Sequence, residues 1–207
     1  MLKIYGRADS SNVRKVTWIA DEIGIPYERE DWGRGYRSTE EPEFKRVSAF
    51  GVVPVIDDDG FVLRESNTIL RYLCAKHSRT DLYPSELQAR ALVESWMDWS
   101  STDLYLGVRP VFLGLTIKAP AFQDPKIIEM GINDWTRQMK RLDAQLAAHG
   151  PYLAGGSFTL ADVGAGIVVN RWFHVDFTKP ELAAVAAYYD RLSTRTPYRT
   201  SVRNGTP

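Results

Sequence analysis

One cysteine, Cys74, in a chain of 207 residues has nothing to pair with, which excludes an intrachain disulfide framework and any Cys-x-x-Cys motif. Three histidines, His77, His149 and His174, stand too far apart to read as a local metal motif. Surplus charge is also missing. Lys plus Arg number 26 and Asp plus Glu number 26, so no global field draws the chain to nucleic acid or an anionic membrane. The basic residues from Arg191 to Arg203 are interleaved with hydroxyls and a proline and read as a solvated helix and tail. No apolar run reaches membrane-spanning length, and "MLKIYGRADSS" is too polar for a signal peptide. What remains is a globular chain, 44% hydrophobic, expected in a reducing, cytoplasmic setting without metal, nucleic acid or membrane as a partner.

Two kinds of pattern divide it. Residues 2–5 read as a strand, and apolar positions Val13, Val16, Ala20 and Ile23 recur at helical spacing until Gly24 and Pro26 stop them. A second strand is predicted near Tyr27 to Glu30. A glycine-bearing loop with a short helix follows, then strands over 53–56 and 61–64 joined by "DDDG", whose Asp-Gly pair suits a tight hairpin. Ile69, Tyr72, Leu73 and Lys76 give the next helical face. Past "HSRTDLYPSE" only helical periodicity continues. Leu92, Trp96 and Trp99 form one face; Trp135, Met139, Leu142 and Leu146 a second; Leu160, Val163, Ile167, Val168 and Trp172 a third. The reading is an α/β domain, β-α-β-α-β-β-α, over 1–78, a linker over 79–86 and an all-α domain over 87–207.

The stretch "VVPVIDDDGFVLRESNTILRYL" carries the chemistry. A cis Val53–Pro54 bond would turn the N–H and C=O of Val53 sideways, where they could pair with an extended peptide. Ser66 is a natural N-cap, and the amides after it suit a carboxylate. Glu65 beside it offers an anion to an ammonium. Together they suit a peptide ending in a free α-amino acid. Taken singly, Pro54 is also an ordinary edge-strand proline, Ser66 an ordinary cap and Glu65 an acid complementing a helix dipole.

That stretch, with "YGRADSSNVRKVTWIADEIGIPYE" and "GGSFTLADVGAGIVVNRW", resembles the cytosolic glutathione transferases, in particular bacterial serine-type (theta- or nu-like) members, over nearly the whole chain. The resemblance implies a thioredoxin-like domain followed by a helical one, glutathione as co-substrate, a cytoplasmic homodimer and a role in detoxification. It implies that Val53 and Pro54 receive the cysteinyl backbone of glutathione, and that Glu65 and Ser66 hold its γ-glutamyl end. An S-x-N match in "ADSSNV" puts the donor to sulfur at Ser10 and, at Asn12, a second polar contact in the catalytic element or support for its loop, with Ser11 as the alternative register. A hydroxyl at a helix N-terminus supplies both a donor and a positive potential to the thiolate. Tyr5 reads as a core or wall residue and Cys74 as core.

Tyr105, Arg109 and Phe112 fall on one face of a helix that Pro110 should kink, and with Trp172 they are the candidate electrophile pocket, helix-core packing being the alternative for each. Thr159 and Asp162 form a capping-box pattern, with Phe158 as its staple. The chain departs from the resemblance at Val52, where many relatives carry a cation for the glycyl carboxylate; Lys45, Arg46 or Arg34 could replace it. Phe50 marks either a dimer contact or packing in its own subunit. The leading reading is transfer of glutathione to small hydrophobic electrophiles. Its rivals are a non-catalytic ligand carrier and a glutathione-dependent isomerase, dehalogenase or peroxidase.

Overall fold

The computed structural model describes residues 1–205 and 207. The chain forms two compact units, Met1–Tyr83 with Pro197–Asn204, and Pro84–Thr196 with Gly205–Pro207.

In the first unit the order is β1 (Leu2–Tyr5), α1 (Ser11–Ile23), β2 (Tyr27–Glu30), α2 (Pro42–Val47), β3 (Val55–Asp58), β4 (Phe61–Arg64) and α3 (Ser66–Lys76). The strands form one sheet in the order β2-β1-β3-β4, a thioredoxin-like arrangement. β1 and β2 run parallel, and β3 is antiparallel to both β1 and β4. Helix α1 exists because Val13, Val16, Ile19 and Ala20 repeat on a face that is wholly buried. Gly24 ends it in the left-handed region, its N–H returning to Ala20 and Asp21, with Pro26 just beyond. The β3–β4 turn uses Asp59 and Gly60, both at positive φ, and the Gly60 N–H donates to Asp57 Oδ1 at 2.7 Å. The segment Pro197–Asn204, part of the span read from sequence as the helical domain, groups with this unit. Its Tyr198 ring lies 4.8 Å from that of Trp18, and Ser201 Oγ donates to Asp21 Oδ2.

The second unit is built from α4 (Leu87–Ser101), α5 (Asp103–Val111), a π-helical turn (Phe112–Thr116), a 3₁₀ turn (Pro120–Phe122), α6 (Pro125–His149), α7 (Ala161–His174) and α8 (Ala183–Ser193); α9 (Thr196–Ser201) straddles the two units. The helix predicted to kink at Pro110 starts at Asp103, after Thr102 with its non-helical φ of −107° and ψ of −91°, and changes to the π turn two residues past Pro110. On α4 the core is filled by Val93 and Met97, while Leu92 is exposed. The Leu92–Trp96–Trp99 stripe is therefore not the buried face. Trp99 instead turns its Nε1 to buried Gln138, 3.2 Å from Oε1.

Helix α7 is buried on every side from Ala161 to Trp172, its polar Asp162, Asn170 and Arg171 included. Its start is held by Asp162, whose Oδ2 accepts from Thr159 N at 2.9 Å and whose Oδ1 accepts from Leu153 N at 3.0 Å and Tyr188 Oη at 2.9 Å. Thr159 Oγ1 accepts from Ala161 N at 3.3 Å, one residue short of the Asp162 N–H that the box read from sequence would use. Burial pushes the Asp162 carboxyl up to about 6, against the pull of those three donors. We predict that Asp162→Asn, which turns an amide toward Thr159 N–H, lowers the unfolding free energy by about 2–4 kcal/mol in urea titrations followed by tryptophan fluorescence. Because the folded carboxyl holds its proton to higher pH than the unfolded one, the native state binds more protons between about pH 4 and 6. Wild-type stability should therefore fall as pH rises through that window, and the variant should lack this component of the slope.

Candidate active site

Register brings the sequence's scattered candidates to one place. Tyr5 pairs with Val55, and Val55 with Arg64, so these three residues form one row across the sheet. Since β1 and β4 both run against β3, the exits of β1 and β4 and the entry of β3 lie on a single edge. The residues one step beyond the row are Gly6, Pro54 and Glu65. From that edge α1 and α3 start, and they pack together. Their N-termini are joined by a hydrogen bond from Ser66 Oγ to Asn12 Oδ1 at 3.3 Å. Two sets of free amides and two dipole ends thus face the same side of the sheet, a positive potential with no formal charge required.

Ser10 is the N-cap of α1, extended at φ −76° and ψ 123°, and its hydroxyl makes no capping bond to the helix it starts. Its backbone is fixed on both sides, N–H to Arg7 O at 3.2 Å and C=O from Arg14 N at 2.9 Å. Ser11 is the first helical residue and is half-buried. The loop before Ser10 is braced throughout. Gly6 N and Arg7 N bond Glu30 O and Trp32 O at 2.8 and 3.1 Å, Arg29 Nη1 reaches Gly6 O at 2.9 Å, Ala8 N reaches Asp31 Oδ1, and Arg14 Nε reaches Ala8 O at 3.1 Å. Hydrogen bonding from Arg29 keeps the Asp31 carboxyl below the usual range. Burial lowers the Arg14 guanidinium, with Asp9 opposing. Tyr5 belongs to the wall: it packs against Trp32, Phe44 and Val55, and burial, with Glu30, Asp57 and Glu43, makes its phenol a weaker acid.

The Val53–Pro54 bond is cis, and the Val53 N–H and C=O enter none of the backbone hydrogen bonds among the described residues. One detail differs from the sequence reading. The N-cap of α3 is Glu65, and Ser66 is the first helical residue. The backbone turns from strand to helix at Glu65 itself, at φ 70° and ψ 107°, a region that side-chain-bearing residues rarely adopt. The Glu65 carboxylate is exposed and pairs with Arg64 Nη1 at 2.8 Å.

The four residues grouped as an electrophile pocket part company within the second unit. Phe112 is buried beneath the Arg171 guanidinium, 3.7 Å above its ring. Trp172 is buried in edge contact with Trp135 and Phe177, each 5.3 Å away, so it is a core residue. Tyr105 is half-buried and Arg109 exposed on α5, with Arg109 over the Phe122 ring at 4.9 Å. Cys74 is buried, its thiol pushed up to about 12, which removes it from thiolate chemistry. Among the described residues there is no group of three His, Cys, Asp or Glu side chains able to hold a metal, and no helix long and apolar enough to cross a membrane. Sequence reasoning passed over Arg7 and Asp9; Asp-x-Ser spacing before a helix was the available signal.

Comparison with known proteins agrees with this geometry. The family described as Glutathione S-transferase, N-terminal domain, matches residues 4–81. Glutathione S-transferase 3 of Zea mays is 30% identical over 174 residues, covering 81% of this chain and 76% of its own. The chain belongs to the glutathione S-transferase family. Glutathione S-transferase GstB of Escherichia coli (strain K12) is 29% identical over 201 residues, 96% of each chain. The theta class glutathione S-transferase of Xanthomonas axonopodis pv. citri, solved with glutathione bound, is 35% identical and superposes with a TM-score of 0.93, covering 100% of this chain and 99% of that one.

The unusual backbone at Glu65 yields a stability prediction. Glu65→Gly removes the steric cost of that φ and should raise the unfolding free energy of the first unit by about 1 kcal/mol, after the entropy that glycine adds to the unfolded chain. A higher urea midpoint at unchanged slope is the expected result; a lower midpoint counts against strain at this residue.

Proposed function

We propose that this chain binds glutathione on the edge where α1 and α3 begin and transfers its thiolate to small hydrophobic electrophiles, with Ser10 as the donor to sulfur. The observation that carries the reading is the Ser10 hydroxyl: it sits at a helix N-terminus, is rigidly placed, and is not spent on capping that helix. Glutathione's thiol is mostly protonated at neutral pH, so catalysis consists largely of favouring its anion. A short O–H···S⁻ bond and the converging helix ends do so, and they are already oriented before the charge develops. The sulfur then attacks the electrophilic carbon as the leaving group departs, or adds across an activated double bond, and a proton is taken up from solvent.

Binding supplies the alignment. The cysteinyl N–H and C=O pair with Val53 beside Pro54, the γ-glutamyl ammonium meets Glu65, and the γ-glutamyl carboxylate meets Ser66 and the first amides of α3. Asn12 holds the Ser66 hydroxyl in place. Electrophile contacts are assigned to Tyr105 and Arg109, whose side chains the second unit's core does not take up. Phe112 and Trp172 are buried in the core and are left out of the assignment. A cytoplasmic setting and a homodimer belong to the same proposal. Phe50 is 66% exposed with Arg64 stacked at 3.9 Å, beside a recess of about 350 Å³ lined by Val47, Val55 and Val62, and a second copy is its assigned partner.

Ser10→Ala should raise the pKa of the bound thiol by about one unit or more and lower kcat/KM by about 100-fold, while glutathione affinity changes little. Ultraviolet thiolate titration and turnover on a responsive aryl halide read both; wild-type values for both reject Ser10, and the same losses in Ser11→Ala instead would move the role one residue on. Val52, at a position many relatives fill with a cation, favours one other reading, a carrier. Calorimetric glutathione binding with no conjugate from a broad electrophile panel would establish it. Phe50→Ala should weaken the dimer at least about tenfold by sedimentation equilibrium; an unchanged dissociation constant removes Phe50 from the interface.

A further inference from the structure

Building on the glutathione reading, we infer that Arg29 and Asp31 are positioning residues for the reaction: the pair holds the loop before Ser10 against the sheet and so keeps the Ser10 hydroxyl on the sulfur. That hydroxyl makes no capping bond to its own helix, so its aim is set by the backbone that carries it. The backbone leaves the sheet early. Gly6 N–H and Arg7 N–H still donate to Glu30 O and Trp32 O at 2.8 and 3.1 Å. Past Arg7, among the described residues, no further main-chain bond runs from the loop to a strand.

Arg29, on β2, and Asp31, just past its end, take over where the ladder stops. The guanidinium forks onto the carboxylate, Nη1 to Oδ1 at 2.5 Å and Nη2 to Oδ2 at 3.2 Å. The same Nη1 donates to Gly6 O at 2.9 Å, and Asp31 Oδ1 accepts from Ala8 N at 3.2 Å. Among the described residues, every hydrogen bond that these two side chains make outside the pair goes to the loop that carries Ser10. A pair serving the sheet alone would bond across its strands. With side chains 24% and 34% exposed, the fork is partly withdrawn from water, where a two-bond arginine–carboxylate pair outweighs an ordinary surface pair.

The other braces of this loop do something different. Arg14 Nε reaches Ala8 O at 3.1 Å, but Arg14 stands one turn into α1 and moves with Ser10. Arg7, whose Nε is 2.8 Å from Asp9 Oδ1, belongs to the loop itself, and Arg34 Nη2 stands 3.7 Å from Asp9 Oδ2 on an exposed side chain. Those contacts stiffen the loop or tie it to the helix; Arg29 and Asp31 tie it to the sheet. The sheet's edge also leads to Val53, just before β3, the proposed partner of the cysteinyl backbone. The pair therefore sets the distance between the donor to sulfur and the groups that fix the cysteinyl residue. A displacement of about 1 Å between them is enough to lose most of the alignment.

Ultraviolet titration of the bound glutathione thiol, with calorimetric glutathione affinity, tests the inference on the full chain without requiring turnover. The proteins are wild type, Asp31→Ala, Arg29→Met, Arg29→Lys, Ser10→Ala and the double variant of Asp31→Ala with Ser10→Ala. Asp31→Ala and Arg29→Met should each raise the bound thiol pKa by about half a unit or more. The glutathione dissociation constant should change by no more than about twofold, and Arg29→Lys should recover part of the shift. Added to Ser10→Ala, Asp31→Ala should move the thiol pKa by no more than about 0.2 unit, because a hydroxyl that has been removed cannot be misaimed. A purely structural role would give the same shift with or without Ser10, or would weaken glutathione binding in proportion. Either result, or no shift in both single variants, overturns the inference. Asp31→Asn, close to isosteric but without the charge, carries the same comparison if Asp31→Ala does not fold. Wild-type binding together with a raised thiol pKa in Ser10→Ala upholds the glutathione reading whatever Asp31 does. A wild type that binds no glutathione, or a Ser10→Ala thiol that titrates as wild type, removes that reading and the inference with it.

Discussion

The constraint on which the rest of the structure depends is a sheet register. With Tyr5, Val55 and Arg64 in one row, three chain segments far apart in sequence reach the same edge at the same height. A one-residue slip of β3 against β1 would reverse the faces of every side chain in that strand and would move Pro54 away from the start of α1. The slip is opposed by Ile4 and Ile56, a directly paired and fully buried couple, and by the Asp59–Gly60 turn, which fixes how β3 and β4 meet. The site therefore inherits its geometry from core packing and turn chemistry. None of its own polar contacts is strong enough to set it, and the Ser66–Asn12 bond at 3.3 Å records the convergence of α1 and α3 more than it causes it.

From that placement the electrostatics follow. Free amides at two helix ends face the same side of the sheet, while the loop carrying Ser10 is tied by Arg29, Asp31 and Arg14 to its neighbours. Preorganisation of this kind matters more than any single charge, because donors already in position need not reorient when a thiolate forms. In the proposed role an unactivated serine suffices, because Ser10 would donate a hydrogen bond to sulfur without losing its proton. Tyr5 lies on the row itself but packs against Trp32, Phe44 and Val55 as part of the wall.

Much of this was legible in the residues, and the exceptions have physical causes. Strong local signals translated directly: Gly24 and Pro26 stop α1, Asp-Gly turns the hairpin, and Thr159 with Asp162 starts α7. The Leu92–Trp96–Trp99 stripe misled because an aromatic can satisfy helical periodicity while serving another purpose; Trp99 spends its N–H on Gln138, and the smaller Val93 and Met97 fill the core. The break between α4 and α5 at Thr102 was hidden because no residue there forbids a helix, whereas Pro110, which removes a donor, stands just before the change to a π turn. The N-cap fell on Glu65 instead of Ser66 because capping rules assume an extended residue before a helix, and here the chain must turn sharply off β4. Asp9 was invisible as a hub, since its two guanidinium partners are brought together only by the β1 and β2 exits.

The two units also divide their departures from local rules unevenly. In the second, buried polar groups are largely matched: three donors meet Asp162, Tyr189 Oη donates to Asn170, and Trp99 donates to Gln138. In the first, one edge holds a glutamate at positive φ, a valine whose main-chain groups are uncommitted, a serine that does not cap its helix, and guanidiniums that outnumber their carboxylate. Scattered through a chain, such features would be ordinary imperfections. Gathered on one edge of one sheet, the valine, the serine and the guanidiniums have the same sense, a demand for a donor, an acceptor or an anion. A folded chain tolerates that concentration only where the surrounding core over-determines the backbone, and the demand is then available to be met by something that is not part of the chain. In the proposed function that something is a tripeptide with a thiol, an ammonium, two carboxylates and two peptide groups.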